Sequence, residues 1–178
     1  MVKRSSVSYL DRLYSILTYL LPMAAVVSVM AYGQRLMIFG FADFLVEQFK
    51  PLAYALLPFW YVDKILSTRI IDFISIRFVA WFCVFIFVVR NYKVNHFVRF
   101  NAMQALLLDI IVALMSAIVQ VLSLILGNFA FFPFMLQIIA SVTFFGITAA
   151  FLYSIFQCVL GKYAEMPIVS EVAYSQVR

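Results

Sequence analysis

A chain of 178 residues with 66% hydrophobic side chains, 12% charged ones and a mean hydropathy of +1.06 lies far outside the range of soluble globular domains and reads as an integral membrane protein. Its length holds one helical bundle without a separate soluble domain, and its formal charge of +5 comes from basic residues scattered at helix ends. That scatter excludes a nucleic-acid-binding tract and points to membrane topology and anionic lipid headgroups.

The polar start carries Lys3, Arg4 and Arg12 and leads into a first apolar run over 13–32, too long for a secretory h-region and without a small-x-small cleavage site. It is expected to be an uncleaved span. The next run, 36–62, is interrupted by Asp43, Glu47, Lys50, Pro51 and Pro58. On a helix Gly40, Asp43, Glu47, Lys50 and Tyr54 share one narrow face, as in an interfacial or re-entrant amphipathic segment. A second span is expected over 70–89. Its Asp72 and Arg77 stand about 140° apart on a helix, so Arg77 is expected to snorkel or to meet a neighbouring helix. The third span, 98–126, follows the N-cap candidate Asn95 and His96, and Gly127-Asn128 ends it. The fourth, 133–160, ends at Gly161-Lys162, and the short uncharged connection makes these two spans a tight antiparallel hairpin. Cys83 and Cys158 each fall inside an apolar run and read as small buried hydrophobes.

The expected fold is therefore all-α: an integral membrane bundle of four transmembrane helices plus one interfacial helix, in a single domain covering 1–178. Eight basic residues flank the N-terminus, the second loop and the C-terminus, against four in the first loop and none in the third. This asymmetry places both termini on the side of synthesis, the cytoplasm of a bacterium or the stroma of a plastid.

A carboxylate inside the third span, Asp109, costs on the order of 3 kcal/mol in a bilayer and should face protein or water. Ser116, Gln120 and Ser123 lie within about 40° of it on a helix, and Gln137, Ser141 and Thr148 form a similar stripe on the fourth span. Two readings stay open: hydrogen bonding between packed helices, or a hydrophilic path or docking groove. Leu114 and Leu122 are expected to face lipid. A single His, five glycines without a GxGxxG or P-loop arrangement, and no nucleophile–base pair point away from enzyme chemistry and away from any cofactor. The lone His also argues against a pigment-binding light-harvesting subunit.

The stretch His96-Phe97-Val98-Arg99-Phe100-Asn101-Ala102-Met103-Gln104-Ala105-Leu106-Leu107-Leu108-Asp109-Ile110 and the tail from Met166 to Val177 resemble the family of the Tic 20 kDa subunit, a membrane component of the chloroplast inner-envelope import translocon. The resemblance implies four helices with both ends in the stroma, and a plastid inner envelope location or, for a cyanobacterial copy, the plasma or thylakoid membrane. It implies a subunit that forms or lines a protein-conducting path, with other translocon subunits, precursor polypeptides in transit and membrane lipids as partners and with self-association left open. The short N-terminus is expected of a plastid-encoded or cyanobacterial member. Arg99, Phe100, Asn101, Met103, Gln104 and Asp109 are the signature residues the resemblance marks, without a known chemical role. A non-catalytic structural or assembly subunit of a larger photosynthetic-membrane complex is the alternative.

Overall fold

The computed structural model describes residues 7–35, 50–71 and 74–177. The Gly40, Asp43 and Glu47 part of the expected interfacial face, and Asp72, lie outside them.

The first apolar run begins earlier than expected, because Ser8 opens a helix and its N–H is taken by the Asp11 carboxylate at 3.0 Å. Helix α1 (Tyr9–Thr18) gives way at Tyr19 to α2 (Leu20–Arg35). The interruption has a covalent cause. Pro22 has no N–H to return to the Thr18 carbonyl, and Tyr19 N–H bonds instead to the Ile16 carbonyl at 3.1 Å. Residues 50–62 of the expected interfacial segment lie in α3 (Lys50–Leu66), which runs four residues beyond it and has Pro58 inside.

The expected second span is the largest departure. Its first residues pair as a two-stranded antiparallel hairpin, β1 (Arg69–Ile71) with β2 (Ile74–Ser75), and only then does α4 (Ile76–Cys83) start, capped by Ser75 Oγ accepting from Phe78 N–H at 3.3 Å. A wide, π-type turn (Val84–Val89) continues it, closed by Arg90 N–H donating to the Phe85 carbonyl, five residues back, at 3.0 Å. Ile70, Ile71 and Ile74 are β-branched, and a short apolar run does not distinguish strand from helix. The eight α-helical and six π-helical residues rise only about 20 Å, short of a ~30 Å hydrocarbon core. Among the described residues three helices are long and apolar enough to cross a membrane, Tyr9–Val27, His96–Leu126 and Phe132–Val159, and the protein is a multi-pass membrane protein.

Helices α5 (His96–Leu126) and α6 (Phe132–Val159) match the expected third and fourth spans closely. Asn95 is the N-cap of α5: its side-chain oxygen accepts from Phe97 N–H at 3.1 Å, and its amide donates to Asp11 at 2.9 Å. After α6, Gly161 turns the chain at φ +69°, and a Cβ there would stand 3.1 Å from the Arg12 guanidinium, which caps α6 by donating to the Val159 carbonyl at 2.8 Å. A last short helix, α7 (Val169–Gln176), follows.

The hairpin is not tight. Near the turn Val119, Leu122 and Leu126 pack on Phe132 and Leu136, but further along the first span inserts between its arms. Tyr19, Met23, Val26 and Val27 share a core with Ala105, Leu108 and Val112 of α5 and with Phe144, Ile147 and Phe151 of α6. Leu122 therefore faces protein, correcting the expectation that it faces lipid.

Candidate functional site

Two buried polar assemblies and one uncovered stripe make up the candidate site. The first is an ionic bridge. Arg77 donates through Nη2 to Asp63 Oδ1 at 2.6 Å, and through Nη1 to Asp109 Oδ1 at 3.1 Å and to the Leu21 carbonyl at 3.2 Å. All three charged side chains are at least four-fifths buried. One guanidinium thus fastens α3, α4, α5 and α2 together, and Asp109 has a partner supplied by the fold rather than by Gln120 or the fourth span. Arg77 meets neighbouring helices, the second of the two fates expected for it. Its reach to Asp109, together with Arg99 Nε donating to the Val89 carbonyl at 2.9 Å, lays the Ile76–Val89 segment along the part of α5 between Arg99 and Asp109.

The second assembly contains the signature residues. Tyr19 hydroxyl lies 3.1 Å from Asn101 Oδ1 and 3.0 Å from Gln104 Oε1, while Asn101 Nδ2 donates to the Phe97 carbonyl at 2.8 Å. Gln104 Nε2 donates to Ser170 Oγ at 2.7 Å, and the same oxygen accepts Met166 N–H at 2.5 Å. Phe100 is fully buried against the Tyr174 ring, at 4.3 Å between centroids, and against Tyr163 at 5.2 Å. Met103 packs with Leu21, Leu106, Ala173 and Val177. Arg99 is buried with its guanidinium 4.7 Å from the Tyr92 ring. The two stretches singled out in sequence, 96–110 and 166–177, therefore lie against each other, joined through Gln104 and Ser170. Tyr19, Ser170, Asp63 and Arg77 were not among the expected site residues. Arg77 alone carried a signal, as a basic side chain inside an apolar run.

The expected polar stripes divide. Asp109 is drawn into the ionic bridge. Ser116 and Ser123 are half-buried, Gln120 is exposed, and Ser123 Oγ donates within its own helix to the Gln120 carbonyl at 2.7 Å. Gln137, Ser141 and Thr148 are half-buried, and Thr148 Oγ1 is enclosed without a hydrogen-bond partner among the described residues. Also among those residues, no hydrogen bond links one stripe to the other, and near the turn, where α5 and α6 touch, the contact is made by apolar side chains, Val119, Leu122 and Leu126 against Phe132 and Leu136.

Comparison with known proteins places this arrangement. The chain is 34% identical over 179 residues to a Tic20 family protein of Synechocystis, covering 100% of this chain and 99% of that one. It is 33% identical over 100 residues to protein TIC 20-II, chloroplastic, of Arabidopsis thaliana, covering 56% of this chain and 48% of that protein. With Tic20 family protein Ycf60 of Porphyra purpurea the identity is 29% over 126 residues, 64% of this chain and 57% of the relative. Residues 4–173 match the profile described as "Chloroplast import apparatus Tic20-like", and the chain belongs to that family.

Proposed function

We propose that this protein is a membrane subunit of the protein-import translocon of the plastid inner envelope, forming or lining the path of precursor proteins alongside other translocon subunits. The observation that carries the reading is the uncovered distal half of α5. Leu114, Ile118, Val121 and Leu124 are exposed there, and Gln120 is exposed among them about 10 Å in from Gly127. An amide at that depth needs a hydrogen-bonding neighbour, and polypeptide in transit needs the same at mid-membrane, where each unsatisfied backbone group costs several kcal/mol. Photo-crosslinkers at Ser116 and Gln120 are expected to capture a precursor arrested in transit, with Leu114 and Leu124 silent. Capture of a fixed membrane protein at Gln120, with no precursor even when import is stalled, would overturn the conducting role.

That second result is the one expected of a structural or assembly subunit, a reading favoured by the saturation of Asn101, Gln104 and Asp109 within the chain itself. Under it the relative spanning the whole chain points to a cyanobacterial plasma or thylakoid membrane as the alternative location.

The basic-residue asymmetry further predicts both termini on the stromal or cytoplasmic face. Protease added to sealed membranes should reach epitope tags at the two ends together or not at all. Cleavage of one alone rules out this topology.

A further inference from the structure

An open apolar cavity of about 430 Å³ lies between the first span, the Ile76–Val89 segment and the start of α5, within the size range of small-ligand sites. Leu17, Leu21, Val84, Val88, Val94 and Val98 line it. Two details set this groove apart from ordinary lipid-facing surface. One wall is the π-type turn Val84–Val89, a wide backbone geometry frequent at functional sites. The loop that joins two of its lining residues, Val88 and Val94, at the rim carries Arg90 and Lys93, both exposed and without an acidic partner among the described residues. Asp11, which Asn95 ties to the end of this loop, is already engaged by Ser8 N–H and the Asn95 amide. Arg99 fixes the loop from beneath through the Val89 carbonyl and the Tyr92 ring.

We propose that this groove binds one anionic glycerolipid, with an acyl chain along Leu17, Val84 and Val88 and the charged headgroup at Arg90 and Lys93. An apolar trough ending in paired cations matches a molecule with a hydrocarbon tail and one negative charge, and basic pockets between membrane helices recognise such headgroups. A zwitterionic lipid fills the trough equally well but gains nothing from the rim.

The test uses the full chain in vesicles of equal phosphatidylglycerol and phosphatidylcholine, with a diazirine amino acid in place of Val84 and adducts identified by mass spectrometry. Phosphatidylglycerol adducts are expected to exceed phosphatidylcholine adducts by about fivefold or more. Arg90→Gln with Lys93→Gln, both at exposed positions, should bring the ratio to parity without reducing the total. Parity in the unsubstituted loop overturns the proposal. So does a polypeptide adduct in place of lipid, which would assign the groove to a protein helix.

Discussion

Replacing Arg77 by Met is expected to destabilise the folded protein by about 3–5 kcal/mol, enough to keep it from accumulating in membranes, because Asp63 and Asp109 are left buried without their shared cation. The sign of the effect comes from desolvation. The three charged groups gain little together compared with apolar residues of the same shape, but two carboxylates stranded in a low-dielectric interior lose their shared cation, and the Ser67 hydroxyl that also donates to Asp63 at 3.1 Å does not replace its charge. The same reasoning predicts rescue: Arg77→Met combined with Asp63→Asn and Asp109→Asn should recover most of the loss. Asp109→Asn alone keeps an acceptor for the guanidinium and should be mild, whereas Asp109→Leu should not. Thermal unfolding in detergent measures all four. An Arg77→Met protein as stable as the parent would show that the bridge contributes nothing.

Gln104→Leu is expected to release the tail. The substitution removes one of the two acceptors of the Tyr19 hydroxyl and the donor to Ser170, leaving buried groups unpaired at a cost of about 1–3 kcal/mol. The readout is amide hydrogen exchange over Val169–Gln176, which should accelerate strongly while the distal ends of α5 and α6 keep their protection. Ser170→Ala should give a smaller effect of the same kind, and the double variant should fall short of the sum, since both changes break one contact. Unchanged exchange over α7 in Gln104→Leu would sink the idea.

Features encoded within one helix were legible in the sequence. The limits of α5 and α6 follow from apolar length and from Asn95, Gly127 and Gly161, all local signals. Asp109 was visible as a residue that needs a partner, yet the partner was not, since Arg77 reaches it only after the β1–β2 hairpin has set where α4 begins. Helical periodicity put Asp109 on one stripe with Ser116 and Gln120, and that placement is sound for an isolated helix. It could not show that the first span covers only part of α5, which separates the buried carboxylate from the exposed amide further along. The signature residues fared likewise. Resemblance marked Asn101 and Gln104, but their role as acceptors for Tyr19, 82 and 85 residues earlier in the chain, is a property of the assembled bundle.

The docking of residues 170–177 against Phe100, Gln104 and Leu106 also orders events in time. α1, α2 and α5 can enter the bilayer as they are made, but the Gln104 amide has no acceptor and the Phe100 ring no Tyr174 to lie on until that segment has left the ribosome. Until then the protein is a set of inserted helices with one end of the bundle unfinished, and that end matures only after the helices before it have been made. A bulky domain fused directly after Arg178 would interfere with that maturation while leaving insertion of the helices intact.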